Sequence, residues 1–160
     1  MWTSLVADAG VISPWLLCVA TLVSAVVGSL LPVSPTEPLL LALAAVAPPH
    51  LALPIAALAT TGQMAGKVAL YVGSRRADRV LSEAHREKVR RASASMNRSP
   101  ALQSLTLMLS GATGLPPFYG VTVLSGALGV PIGRFLLFGS IGRGARFAAI
   151  VLVPRLLPGG

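Results

Sequence analysis

The sequence predicts an all-α integral membrane protein, and three observations carry that expectation. Apolar residues make up 54% of the 160 residues and charged ones 11%, whereas a water-soluble domain carries about 25% charged residues to coat its surface. The apolar residues run in continuous blocks instead of alternating, the pattern of helices and not of strands, and mean hydropathy is +0.76. Aromatic residues are only 5%, too few for the girdles of a membrane β-barrel.

Residues 11–31 form the first block, close to the ~20 residues that span a bilayer. The first eleven residues hold no Lys or Arg, so the charged start of a cleaved leader is missing. Residues 32–50 come next, with Pro32, Pro35, Pro38, Pro48 and Pro49 bracketing an apolar run over 39–47. That run amounts to roughly 14 Å of helix, half a hydrocarbon core, so it is expected to re-enter and not to span. Residues 51–73 are long enough to cross. Residues 74–100 form a basic loop; a surface helix is expected over 77–95, either lying on headgroups or simply solvated, with Glu87 and Arg91 at the favourable four-residue spacing. Residues 101–130 are apolar but broken by Gly111, Gly114, Pro116 and Pro117, which describes the two half-length arms of a re-entrant hairpin. Residues 134–153 span again, provided Arg143 and Arg146 face protein or water. About three spanning helices and two re-entrant segments result, in one domain. One crossing separates the two broken segments, so they enter from opposite faces, as in an inverted-topology repeat.

The net charge of +8 would suit nucleic acid, but its distribution does not. Arg75, Arg76, Arg79, Arg86, Lys88, Arg90, Arg91 and Arg98, eight of the thirteen basic residues, lie in one stretch beside apolar blocks. That is the positive-inside signal, and anionic headgroups are the partner it implies. It places 75–98 in the cytoplasm, the amino terminus there too and the carboxyl terminus outside, with Arg155 against the rule. Cys18 stands alone in an apolar run, which excludes an internal disulfide. No nucleotide-binding glycine loop, HExxH, CxxC or G-x-S-x-G occurs, and His50 and His85 are isolated. No enzyme, metal site or cofactor is expected.

Four charges stand out of place. Glu37 is the only acid between two apolar runs, and a carboxylate there must be paired, hydrated or protonated. The prolines around it leave backbone groups without helical partners, which is tolerable only against protein or a water-filled cavity. The alternative is a wet acid at the outer interface. Lys67 lies six residues before the end of the second span; it either snorkels to the headgroups or serves as an internal partner. Arg143 and Arg146, three apart, share one helix face deep in the last block, with Gly142 and Gly144 beside them. Two guanidiniums near a Gly/Pro-rich break suit a phosphate, which arginine holds with bidentate donors. Arg134 is read as interfacial.

These residues belong to a pattern that resembles the DedA family, also called the VTT or SNARE-associated Golgi protein family. Pro35, Thr36 and Glu37 look like its re-entrant acidic motif. Gly66, Tyr71 and Arg75 stand in register with G-(D/N)-x-x-x-Y-x-x-G-R. Gly126, Pro131 and Phe135 match A-G-x-x-x-M-P-x-x-x-F, and Gly142 follows where a Gly is expected. The similarity covers about residues 30–150. Lys67 departs from the acid or Asn of the first pattern, and Ala112 and Phe118 stand near where the family has re-entrant arginines. The resemblance implies a multi-pass protein of a bacterial inner membrane that moves phospholipids or polyprenyl-phosphate carriers between leaflets, possible ion coupling included. Three spans are too few to seal a cavity, so a homodimer is expected. The alternative is a membrane scaffold whose basic loop docks on anionic lipid or a partner protein, with its charges facing the interfaces separately.

The basic stretch generates a first prediction. Eight basic and three acidic residues (Asp78, Glu83, Glu87) give residues 75–98 a net charge of +5, and each basic residue contributes about 1 kcal/mol at an anionic surface. A peptide of this stretch should bind anionic vesicles in a salt-dependent way, and replacing Arg86, Arg90 and Arg91 by Gln should weaken it by roughly 100-fold, the effect of three such contacts. Binding indifferent to salt and to these changes would refute the assignment.

Overall fold

A computed structural model describes residues 14–30, 36–46, 49–78 and 99–156, with a few residues between 83 and 94. Pro35 and most of the basic stretch, including most of the expected surface helix, lie outside the described residues. Six α-helices and one 3-10 turn make up the described chain: α1 Pro14–Ser29, α2 Thr36–Val46, the turn Pro49–Leu51, α3 Ala52–Asp78, α4 Pro100–Thr113, α5 Phe118–Ala127 and α6 Ile132–Leu156. The described residues contain no strand, and the fold is all-α.

Proline marks helix starts more than helix breaks. Pro14 and Pro100 open α1 and α4, and Pro38 and Pro54 sit in the first turns of α2 and α3, where the missing N–H has no intrahelical partner in any case. Pro38, expected as part of the first break, is therefore a helix-start residue. The second break falls at 114–117. Ser99 caps α4 by accepting from the Leu102 N–H, and Gly114 ends it at φ +82°, its N–H returning to Ser110 O. The Ser110 hydroxyl donates to the Pro116 carbonyl, and Pro117 precedes α5. The arms α4 and α5, of 14 and 10 residues, are roughly 21 and 15 Å long.

Among the described residues, one of the three expected spans is long and apolar enough to cross a bilayer, Ile132–Val153 within α6. Trp15–Ser29 and Phe118–Ala127 are apolar but shorter. α3 has the length, at 27 residues, but Gln63, Lys67 and its paired threonines dilute its apolarity.

α1 packs along α3 and α4 along α6, while α3 reaches α5, α6 reaches α2, and α3 and α6 touch each other. Two apolar clusters form. One gathers Leu40, Ile55, Ala59, Phe147 and Val151; the other gathers Met64, Tyr71, Phe118, Val130 and Phe135. α3 passes from the first cluster to the second and α6 from the second to the first, so the two long helices run in opposite directions.

Beside these apolar clusters, several polar side chains are buried and several large apolar ones exposed among the described residues. Lys67, Arg143, Gln63, Thr21, Thr122 and Ser125 are buried, while Trp15, Val27, Leu53, Leu137 and Val153 are exposed. Thr21, Thr60, Thr122 and Ser125 donate to the carbonyl four residues before them, which satisfies a buried hydroxyl without water.

Close backbone approach explains two of the motif glycines. A Cβ on Gly66 would run into Ser29 and the Val26 carbonyl of α1, and one on Gly142 into the Met108 carbonyl and Gly111 of α4. Gly142→Val should therefore force α4 and α6 apart and cost about 3 kcal/mol or more, read as a lowered unfolding midpoint in detergent. Gly133, which faces open space, should accept Ala with no loss. Equal stability of the two variants would contradict the packing.

Candidate functional site: a charged cluster at converging helix ends

Glu37 is the second residue of α2, in the positive first turn where the helix dipole favours a carboxylate. Arg146 grips it with both prongs of its guanidinium: Nε donates to Oε1 at 2.8 Å and Nη2 to Oε2 at 2.7 Å. The third nitrogen, Nη1, donates to the Ala112 carbonyl at 3.3 Å, near the end of α4. Gly114 leaves room for this, since a Cβ there would lie 3.2 Å from Nη1. The pair is partly open, with 24% of the Arg146 and 31% of the Glu37 side chain exposed.

Arg143, one turn earlier on the same face, is more deeply placed, only 7% exposed. Its Nη1 lies 3.7 Å from Glu37 Oε1, an ion pair without a short hydrogen bond. The guanidinium lies over the rings of Phe118 at 4.9 Å and Phe147 at 5.7 Å, a cation–π arrangement that offsets part of its lost hydration. Its Nε is buried and has no hydrogen-bond partner among the described residues.

Lys67 is buried and does not snorkel. Its ammonium donates to the Ser29 carbonyl, the last residue of α1, and lies 4.8 Å from the Tyr119 ring centre. Three helix ends thus meet charges of matched polarity, two of them, the start of α2 and the end of α4, at Arg146. The positive end of α2 carries Glu37, and the carbonyl ends of α1 and α4 receive Lys67 and Arg146. Helices that stop inside a bundle leave orphan carbonyls, and these two cations serve them.

Of the sequence candidates, Glu37, Arg143 and Arg146 meet directly, and Lys67 joins through α1 and Tyr119. Pro116 and Pro117 are exposed in the loop after Gly114. The motif residues assemble elsewhere, at a joint between the halves. The Tyr71 hydroxyl donates to the Val130 carbonyl and accepts from Arg75 Nη1 at 2.9 Å. Its ring stacks on Phe135 at 5.1 Å, and Phe135 on Phe118 at 6.3 Å. Gly126 lies against the Tyr71 carbonyl, and Pro131 follows Val130 into α6. Arg134, read as interfacial, lies in the first turn of α6, where its Nη1 donates to Gln103 Oε1 at 2.7 Å.

Sequence reading did not find Phe118, Tyr119, Phe147 or the Ala112 and Ser29 carbonyls as parts of the site. Phe147 had a signal, standing four residues after Arg143 on the same face. The others depend on contacts between distant segments. Among the described residues no group of His, Cys, Asp and Glu could hold a metal ion. No family model matches the chain, and neither a curated protein nor a solved structure matches it.

Tyr71→Phe keeps the stacked ring but leaves the Val130 carbonyl without its donor and Arg75 without its acceptor. It should cost about 1–3 kcal/mol, the penalty of stranding a buried hydrogen-bonding group, and lower the thermal midpoint. An unchanged midpoint would remove the joint from the account of stability.

Proposed function

We propose that the chain is a small DedA-like membrane transporter that moves a phosphate-bearing lipid, a phospholipid or a polyprenyl phosphate, between leaflets. The observation that carries this reading is the placement of Arg143 and Arg146. They lie inside the one described helix long and apolar enough to cross a bilayer, turned inward onto Glu37. Ionisable groups at that depth are costly and are typically retained for a substrate or ion pathway. The scaffold alternative has these charges facing separate interfaces, and their convergence speaks against it.

Other features support the same reading. The exposed apolar side chains suit lipid, and the buried polar ones suit a protein-lined passage. Helix lengths of 16, 11 and 27 residues in α1, α2 and α3 are followed by 14, 10 and 25 in α4, α5 and α6. The contacts follow the same correspondence: α1 on α3 as α4 on α6, and α3 on α5 as α6 on α2. With α3 and α6 antiparallel, this supports an inverted repeat of three helices, one more than the broken segment plus span read from the sequence. The family resemblance gains a physical rationale too. At Ala112 and Phe118, where the family's arginines are absent, the guanidiniums of α6 arrive instead, Arg146 on the Ala112 carbonyl and Arg143 on the Phe118 ring. The passage is not enzymatic on this reading, it lies in a bacterial inner membrane, and a second copy of the chain closes it.

Liposomes reconstituted with the purified protein and a labelled phospholipid or polyprenyl phosphate test the proposal. The wild-type chain should transfer label between leaflets faster than empty liposomes. Glu37→Gln and Arg146→Gln should each abolish transfer and destabilise the fold by about 2–4 kcal/mol, somewhat below the loss for a fully buried pair because this one is partly open. The double variant should be less destabilised than the two single effects summed. Wild-type transfer by either single variant would defeat the proposal.

A further inference from the structure

The charged cluster is not balanced. Among the described residues Arg143 and Arg146 gather at one carboxylate, Glu37, and a third buried cation, Lys67, stands over Tyr119, the next residue after the Phe118 ring beneath Arg143, with its ammonium on the Ser29 carbonyl. Arg146 takes that carboxylate almost entirely, through two short bonds, whereas Arg143 stands 3.7 Å from it. Arg143 is 7% exposed, and its Nε has no partner. Lys67 is 3% exposed, and only one of the three donors of an ammonium is needed for the Ser29 carbonyl. Burying unpaired positive charge in apolar surroundings is unfavourable unless a counter-anion joins it. The cluster therefore carries a formal surplus of two positive charges together with an unfilled donor.

We infer that Arg143 and Lys67 select a doubly charged phosphomonoester over a singly charged phosphodiester. The inference rests on the lipid-phosphate reading of this same site and narrows it to a headgroup class. A monoester phosphate loses its second proton near pH 6 and carries close to two charges at neutral pH, which matches the surplus; a diester leaves one cation unanswered. The guanidinium of Arg143 offers the planar fork that phosphate oxygens accept, and Lys67 offers a point charge. Tyr119, beneath the Lys67 ammonium, and Phe118 and Phe147, beneath Arg143, hold the two cations in place. The partly open Glu37–Arg146 pair forms the outward side of the cluster. Lys67 is the decisive residue, because without it the surplus falls to one charge and the preference should vanish.

The test uses the full chain in detergent micelles, with native mass spectrometry counting the lipid retained. The probes are phosphatidic acid, a monoester, and phosphatidylglycerol, an anionic diester with the same acyl chains. Wild type should prefer phosphatidic acid by on the order of tenfold or more, the worth of one charge-assisted hydrogen bond. Lys67→Gln keeps a donor for the Ser29 carbonyl and should bind both lipids alike; Lys67→Arg should restore the preference. Inorganic phosphate is the soluble arm. Competition by phosphate that Lys67→Gln abolishes would support a seat for phosphate from either source, and preference for phosphatidic acid without competition would support a seat for the lipid headgroup alone. Equal retention of the two lipids by wild type overturns the inference, and so does a preference that survives Lys67→Gln; the wild-type comparison decides even if that variant does not fold. Selective binding with no transfer in liposomes would defeat the transport reading alone, and transfer without headgroup preference would defeat only this one.

Discussion

Glu37 and Arg146 are 109 residues apart in the chain, and neither can be left inside an apolar bundle without the other. Their two-pronged contact constrains more than distance. A bidentate carboxylate–guanidinium pair is planar, so it sets how far α6 is turned about its axis relative to the start of α2. Once that turn is set, Arg143 comes to the same face three residues earlier and Phe147 packs next to it. The cation over Phe118 and Phe147 is then a consequence of the pair and not a separate device. The Ala112 carbonyl brings the end of α4 to the same point. Losing the pair would release α2, which otherwise has few neighbours, and would leave a stranded charge on the longest apolar helix.

The half-length helices make such pairing necessary. A helix that ends within a bundle exposes unbonded carbonyls at its last turn and N–H groups at its first. In water these would be hydrated; between packed apolar clusters they require side-chain partners. Lys67 at the end of α1 and Arg146 near the end of α4 supply donors, and Glu37 supplies the negative charge favoured at the start of α2. Stability and the proposed function therefore draw on the same groups. The side chains that make interrupted helices tolerable are also the ones a phosphate would meet. Arg143, with its unfilled donor, is the member of the set that structural needs alone do not explain.

The Tyr71 joint has a different character. Tyr71, Arg75, Val130, Phe135 and Gly126 hold the end of α3 to the turn between α5 and α6 through two hydrogen bonds and a stacked ring. Of these, Tyr71, Arg75, Phe135 and Gly126 matched family motifs in sequence, and none of them contacts Glu37, Arg143 or Arg146 through a hydrogen bond or ion pair among the described residues. Together with Gly66 and Gly142, whose lack of a side chain lets helices touch backbone to backbone, they describe how the halves are fastened. These motif positions thus report architecture, whereas Glu37, in the acidic motif, and Lys67, at a position where the motif is not matched, belong to the buried charges.

Composition and the length of apolar blocks determined that the chain is helical and that a helix is interrupted at 114–117, although Gly111, read as part of that break, lies inside α4; glycine and proline act on the backbone locally, whatever surrounds them. The same local reasoning singled out Glu37, Arg143, Arg146 and Lys67, since a charge in apolar sequence is anomalous before any fold is known. Local reasoning also had limits. Pro38 counts as a breaker in sequence but is harmless in the first turn of α2, and nothing local showed that Arg134 would meet Gln103 of α4. Which charges pair was a tertiary decision, because Glu37 and Arg146 meet only when α2 packs on α6. Tertiary structure also decided that Lys67 turns inward to Ser29 and that one arginine of the two takes the carboxylate. Sequence spacing specifies a helix face but not the neighbour it meets; that depends on which helices approach closely, and Gly66 and Gly142 allow close approach only where their partners are already in place.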